Sequence, residues 1–283
     1  MMLIKQNSYL KKIKTALDAC GQGRLLVHSD IMHAMKAVKL VANKNELLSR
    51  HIKALEYCAG SRPLLFPTFN YNFPKTQEYH LASTPSEVGH LSEYARTHWA
   101  QWRTEVPMYH FCGQGEELKL NHQDVINPFG EHSVFAELTQ NDGVVLMYGA
   151  SFSRSTIIHY IEQMFNKGQG PLYRFDKEFY GEIIQTEGSR RAITLVNHVR
   201  PLNKHLSYDW LGLEQDLLRD GLLIPIKEGA STACVYSARK IFDYILNKTE
   251  SDSFYLLDQE SRQWVAPMVE KLGRRLHLSD FES

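Results

Sequence analysis

The segment VVLMYGASFSRSTIIHYIEQM, residues 144–164, crowds Ser151, Ser153, Ser155, Thr156 and then His159 into one short corner. An apolar run ends at Gly149, so the hydroxyl side chains fall where a strand gives way to a helix. Thr156 and His159 are spaced i, i+3, which puts both on one face of that helix near its first turn. The unpaired N–H groups and the positive end of the helix dipole point at the same spot. A base able to take a proton, beside donors able to hold a developing oxyanion, is the equipment of acyl transfer. Two blander readings compete with it. Ser and Thr at helix starts are ordinary N-caps, and a histidine flanked by Ile157, Ile158 and Tyr160 is often a packed core residue. GASFS also falls short of the G-x-S-x-G nucleophile elbow, because Ser153 stands where the second glycine belongs, so a hydrolase using Ser151 is a poor fit.

The elements that must hold this corner follow from periodicity. Helical spacing of apolar residues predicts helices over 8–19, 44–57, 88–101, 131–139, 155–165, 209–220, 234–247 and 261–275. Short apolar runs predict a strand and its exit loop at 24–30, a strand at 62–69 stopped by Pro67, and a strand at 143–148. Residues 172–200 alternate as two antiparallel strands around Glu187-Gly188-Ser189. Strands alternating with helices predict an α/β fold: a mixed sheet covered by helices on both faces, with an antiparallel hairpin insertion at about 172–200. No linker or internal repeat divides the chain, so one domain over 1–283 is expected. Open α/β sheets place ligands beyond the carboxyl ends of their strands, and the corner after Tyr148 is such a place.

Composition narrows the partners. Lys+Arg and Asp+Glu both number 32, which leaves no basic excess for nucleic acid and argues weakly against a polycationic substrate. The cysteines Cys20, Cys58, Cys112 and Cys234 have no CxxC pair and no metal-ligand spacing, so reduced thiols, a cytoplasmic location and no metal are expected. The N-terminal stretch is amphipathic without a continuous apolar core, and no apolar run is long enough to cross a bilayer. Neither a secretory leader nor a membrane partner is expected.

Ordered segments of the chain resemble the aminoglycoside 3-N-acetyltransferase family (the antibiotic N-acetyltransferase fold). LLVHSDI (25–31) is similar to its strand-then-HSS element and LLFPTFNYNF (64–73) to its PTF segment. PFGEHSVFAEL (128–138) is similar to PFGEGSPLARL, and LMYGASFSRSTIIHYIE (146–162) to LLGVGFDxNTSLHLAE. The resemblance implies direct transfer of an acetyl group from acetyl-CoA to an amine of an amino sugar, with no acyl-enzyme. It implies His159 as general base and Thr156 as hydrogen-bond donor to the tetrahedral oxyanion. It also implies that His28, Ser29, Thr68 and Phe69 line the coenzyme A path; Ser151 is counted with them, and Arg154 either pairs with a coenzyme A phosphate or is an exposed helix-start arginine.

Departures from the family pattern carry information too. The family orients its histidine with a carboxylate from a later segment, where this chain has Asn197 and His198; Asp209 and Glu162 are candidates, and the role is left open. The glycine-rich stretch after HSS is replaced by MHAMKAVK (32–39), so Lys36 or Lys39 would compensate at the phosphates. VPMYHF (106–111) puts Val106 and Tyr109 where the family's HPTHSF has histidines, pictured near the acceptor. With the neutral composition, this favours a nucleotide-linked amino sugar of surface polysaccharide biosynthesis as acceptor. The alternatives are an aminoglycoside 3-N-acetyltransferase conferring antibiotic resistance, or a non-catalytic relative that binds coenzyme A or sugar.

Overall fold

Every residue of the run Leu25–Val27 is buried, which a strand manages only when both of its faces are covered. The computed structural model describes residues 6–118, 120, 124–201 and 203–281. The first half of the chain forms α1 (Ser8–Cys20), β1 (Leu25–Ser29), α2 (Lys44–Ala59), β2 (Leu64–Pro67), β3 (Glu78–His80), α3 (His90–Tyr94), β4 (Trp102–Arg103), β5 (Phe111–Gly113) and β6 (Val125–Ile126). Then come α4 (Val134–Gln140), β7 (Val144–Tyr148), α5 (Ile157–Gln163), β8 (Phe175–Ile184), β9 (Arg190–Val199), α6 (Trp210–Arg219), β10 (Ile224–Glu228), β11 (Ser231–Ser237), α7 (Ala238–Ser251) and α8 (Gln259–Leu272).

The main sheet runs β10-β11-β7-β1-β2-β5-β4. Its centre is parallel, with β1 pairing both β2 and β7, while β11 and β5 flank it antiparallel. The sheet is therefore mixed, as its alternating sequence pattern predicts. Successive strand residues point to opposite faces, and the core divides accordingly. Leu25, Val27, Phe66, Leu146 and Tyr148 pack against α1 and α2 through Leu10, Ile13, Leu17, Ile52 and Leu55. Leu26, Leu65, Val145 and Met147 face α4, α5 and α7 through Leu138, Ile157, Ile161, Ile241 and Ile245. Truncating a fully buried leucine or isoleucine in either half costs about 2–5 kcal/mol. Asn7 and Asn43 start α1 and α2 by accepting from the N–H groups of Leu10 and Glu46, as N-caps do.

The hairpin expected at 172–200 forms as β8 and β9, paired antiparallel over their full lengths. It is not a lone insertion. β3 joins β8 and β6 joins β9, both parallel, to make a second sheet in the order β3-β8-β9-β6. Strands of two or three residues show no periodicity, which is why β3 and β6 are invisible in the sequence. The helix expected over 234–247 begins later. Residues 231–237 extend the sheet beside β7, and Ser237 then caps α7 by accepting from Lys240 N–H. Here sheet pairing overrides local helical spacing. The segment expected as one helix over 88–101 ends its α-helical part at Tyr94 and continues as a π turn over Ala95–Trp99.

Candidate functional site

Gly149 fixes the corner. Its φ is +73°, and a Cβ there would sit 2.1 Å from the Asp30 carbonyl oxygen. The residue is both in the left-handed region and pressed against the loop after β1, a combination only glycine tolerates. An isolated bridge between Ser29 and Gly149 ties the two strand ends together. The hydroxyls then divide their work. Ser151 accepts from Ser153 N–H and its Oγ lies 2.9 Å from Ser153 Oγ. Ser155 is buried and bonds the Tyr236 hydroxyl. Thr156 precedes α5 without capping it; its Oγ1 reaches only the Arg154 carbonyl, at 3.5 Å.

A cleft of about 720 Å³ opens between the ends of β1, β2 and β7, and His28, Ser29, Phe69, Ser151, Arg154 and Thr156 are among its lining residues. Asp30 and Glu87 add carboxylates to the same wall. Arg154 is exposed and has no ion-pair partner among the described residues. Thr68 is a correction to the expectation. It is wholly buried, and its Oγ1 lies 2.8 Å from His110 Nδ1, so its side chain braces the strand end instead of lining the cleft. His159 stands one step back, three residues along α5 from the cleft-lining Thr156, with its side chain about a third exposed (34%).

Behind His159 lies a buried charge network. The Tyr208 hydroxyl is 2.9 Å from His159 Nδ1 and 2.6 Å from Glu162 Oε2. Arg174 donates from Nη2 to the Tyr208 oxygen at 2.8 Å and from Nε to Glu162 at 2.9 Å. His198 Nε2 is 3.1 Å from Glu162 Oε2. Glu162 is 0% exposed. Burial alone would push its carboxyl up, but the Arg174 guanidinium and the histidine hydrogen bonds hold it well below the usual carboxylate range. Burial, with Glu162 beside it, pushes the Tyr208 hydroxyl well above its ordinary value despite Arg174. Tyr208 therefore keeps its single proton and gives it to the carboxylate.

That assignment fixes the histidine. With the Tyr208 proton spent on Glu162, the Tyr208 oxygen accepts from Arg174 and from His159 Nδ1–H. The Nδ1–H tautomer leaves Nε2 with its lone pair and no proton. The same triad logic that orients a catalytic imidazole through a buried carboxylate operates here through an intervening tyrosine. Glu162, one of the two candidates left open by the sequence, occupies the orienting position; its carboxylate is 3.7 Å from His159 Nδ1. Asp209 is spent elsewhere, capping α6 by accepting from Gly212 N–H.

His159, Glu162 and His198 bring their ligand atoms within 4.8 Å of one another. The positive charge that a metal ion would supply there is already present as the Arg174 guanidinium, so this donor set fits an ion-pair network better than a metal. His198 is pushed down to about 4 by burial, against the pull of Glu162, and serves the network as a neutral donor.

Other expectations move. Lys36 and Lys39 are exposed on the segment after β1, which is folded as short 3₁₀ turns at Ile31–His33 and Met35–Ala37, and neither is among the cleft's lining residues. Val106 is buried beneath the small sheet with Tyr79, Ile183 and Leu195, so its identity says nothing about an acceptor. Tyr109 stays close to the site: its ring lies 4.6 Å from Phe129, whose ring is 5.3 Å from His159. Cys112 is buried and burial pushes its thiol up to about 12, an inert core residue.

Tyr208 and Arg174 were not legible as site residues. They lie 46 and 12 positions from Glu162, on a loop and at a strand entrance, and no local spacing connects them. The available signal was Glu162 itself, a carboxylate at i+3 from His159 among Tyr160, Ile161 and Gln163.

Comparison with known proteins adds the following. The sequence profile described as aminoglycoside 3-N-acetyltransferase matches residues 15–250. No curated protein matches the chain. Among solved structures, AAC-IIIb in a binary complex with CoASH is 18% identical, with a TM-score of 0.64 over 86% of this chain and 97% of that one. The YokD protein from Bacillus subtilis is 18% identical with a TM-score of 0.64, covering 86% of this chain and 94% of its own. AAC-VIa bound to sisomicin is 16% identical with a TM-score of 0.65, covering 86% and 97%. At these identities the structures speak for the fold.

Proposed function

The chain belongs to the aminoglycoside 3-N-acetyltransferase family, whose members are acetyl-CoA-dependent N-acetyltransferases, and from that premise we propose that it acetylates an amine of an aminoglycoside-type amino sugar, with His159 as general base. The observation that carries the reading is the Tyr208 bridge between His159 Nδ1 and Glu162. It leaves Nε2 unprotonated on a residue one helical turn from Thr156, which lines the cleft. The likeness to structures with bound CoASH and with bound sisomicin supports both substrates.

In the mechanism that follows, acetyl-CoA lies in the cleft with its thioester near Thr156. Ser29 and Ser151 offer hydroxyls along the path, and Arg154 offers a phosphate its unpaired guanidinium. The acceptor arrives largely as ammonium and must give up a proton before it can attack. That first proton goes to solvent; as the neutral amine attacks, His159 Nε2 takes a second proton from its nitrogen, and the resulting imidazolium is stabilised by the Tyr208–Glu162 pair behind it. Attack forms the N–C bond and puts negative charge on the former carbonyl oxygen, to which the Thr156 hydroxyl donates. Collapse breaks the C–S bond, and the imidazolium gives its proton to the leaving thiolate, which departs as coenzyme A.

Aminoglycosides carry several positive charges, and Asp30 and Glu87 on the cleft wall suit them,. A second reading keeps the nucleotide-linked amino sugar as acceptor. It draws on the neutral composition and on the unpaired Arg154 in the cleft, which could meet a diphosphate of the acceptor instead of one of coenzyme A. Free-thiol release from acetyl-CoA separates the two. Sisomicin and apramycin turning over while a uridine-diphosphate amino sugar does not supports the first; the reverse pattern replaces it with the second.

A further inference from the structure

We propose that the His28 imidazole donates a second hydrogen bond to the oxyanion, beside the one from Thr156, when the amine adds to the thioester; this rests on the acetyl-transfer reading above. The chain has four histidines less than a tenth exposed among the described residues: His28, His51, His110 and His198. Three have conventional partners. His51 Nδ1 is 2.8 Å from the Tyr148 hydroxyl, His110 Nδ1 is 2.8 Å from Thr68 Oγ1, and His198 bonds Glu162. His28 has none: among the described residues neither ring nitrogen meets a hydrogen-bonding group; its Nε2 is covered, as are His51 Nε2 and His198 Nδ1, so Nδ1 is the nitrogen open to the cleft. A buried polar group without a partner is a cost, and a fold retains one where something else supplies the partner.

Geometry says what that partner is. His28 follows Leu26 by two residues, so it points to the face of the sheet that carries Val145, Met147 and α5,. In the β1–β7 register it stands opposite Met147, just before the turn that leads to Thr156. The residue is 7% exposed, and it lines the same cleft as Thr156 and Ser151. Burial holds the ring neutral, down to about 4. A neutral imidazole with so low a pKa is a poor base for an amine but a serviceable N–H donor. It adds no positive charge that would repel an ammonium acceptor or the His159 imidazolium. A neutral histidine polarising a carbonyl is an established catalytic device.

In the step, the amine nitrogen bonds to the thioester carbon and the C=O π pair moves onto oxygen. His28 N–H and Thr156 O–H hold that oxygen while the amine proton passes to His159 Nε2. When the pair returns, the C–S bond breaks and the thiolate leaves with its electrons, to be protonated by the imidazolium or solvent.

The experiment compares wild type, His28→Ala and His28→Gln by acetyl-CoA turnover with sisomicin, acetyl-CoA affinity by calorimetry, and the infrared carbonyl stretch of bound [1-¹³C]acetyl-CoA. Melting temperatures identify any variant that fails to fold. His28→Ala should lose about 10²–10³-fold in kcat with acetyl-CoA affinity kept, and His28→Gln, which retains an N–H donor, should recover at least about tenfold of that loss. His28→Ala turning over within threefold of wild type, or losing activity through acetyl-CoA KM alone, overturns the proposal. If wild type acetylates no amine, the acetyl-transfer reading fails by itself. The carbonyl stretch then decides His28: lower in wild type than in His28→Ala supports the contact, and equal frequencies refute it.

Discussion

The Tyr208 hydroxyl stands between His159 Nδ1 and Glu162 Oε2, at 2.9 Å and 2.6 Å, and so does the work of a carboxylate that is itself 3.7 Å from the imidazole. The relay has a consequence for Tyr208→Phe. The phenyl ring preserves packing, but His159 Nδ1 loses its acceptor and the ring is free to adopt the wrong tautomer. A loss of roughly 10- to 100-fold in kcat is expected, with acetyl-CoA KM little changed. Steady-state thiol release measures both; an unchanged kcat would mean that Glu162 orients the imidazole without help.

The second prediction concerns the charge beneath the relay. Glu162 and Arg174 are buried together, and Arg174 is held further above its ordinary value by the carboxylate, against its own burial. Glu162→Gln leaves an unpaired guanidinium in the interior, at a cost of about 3–5 kcal/mol. Pairing it with Arg174→Met should recover part of that loss, because the two changes are coupled. Urea denaturation of the single and double variants checks this, and strict additivity would contradict it.

How much of this could be read beforehand differs by level. The parallel centre of the sheet was legible because Leu25–Val27 and Val144–Leu146 are unbroken apolar runs, and runs of that length between turn residues have few other uses. The hairpin was legible from alternation around Gly188. The helix that carries His159 and starts at Thr156 was legible from its apolar spacing. The network behind His159 was not, since tertiary folding alone brings residues 162, 174, 198 and 208 together. Thr68 went wrong for a related reason. Position at a strand end suggested a lining residue, while the actual side chain turns inward to His110, a choice set by the strand's pleat. Residues 234–237 read as the start of a helix because Val235 and Tyr236 fit either period until the pairing with β7 is known.

The third prediction is acid sensitivity. His28, His51 and His198 are each pushed by burial from 6.5 down to about 4. The fold holds them neutral, whereas the unfolded chain takes up protons as pH drops through 6.5. Between about pH 6.5 and 4 the unfolded state binds more protons, so stability rises with pH there and is lost on acidification. Each contributes roughly 2 kcal/mol of loss by pH 5. Glu162, held low, adds a further loss only below the ordinary carboxylate range. Melting temperature should fall steadily from pH 7 to pH 5; a flat profile would contradict the neutral burial of these rings.

The fourth prediction tests the corner. Gly149→Ala must place a Cβ 2.1 Å from the Asp30 carbonyl at a φ of +73°. The strain and the clash together should cost more than about 1 kcal/mol, and the shift of the β1 and β7 ends should weaken acetyl-CoA affinity as well. Calorimetric titration and thermal melting read the two effects; an alanine accepted without either would mean the loop after β1 is free to move.

The central claim is that His159 Nε2 removes the proton from the attacking amine. Its most direct test is the turnover of acetyl-CoA with sisomicin by His159→Ala, alongside acetyl-CoA affinity. The expected result is a kcat lower by about 10²–10⁴-fold with acetyl-CoA still bound at wild-type affinity. A His159→Ala enzyme that turns over as fast as wild type would contradict the account.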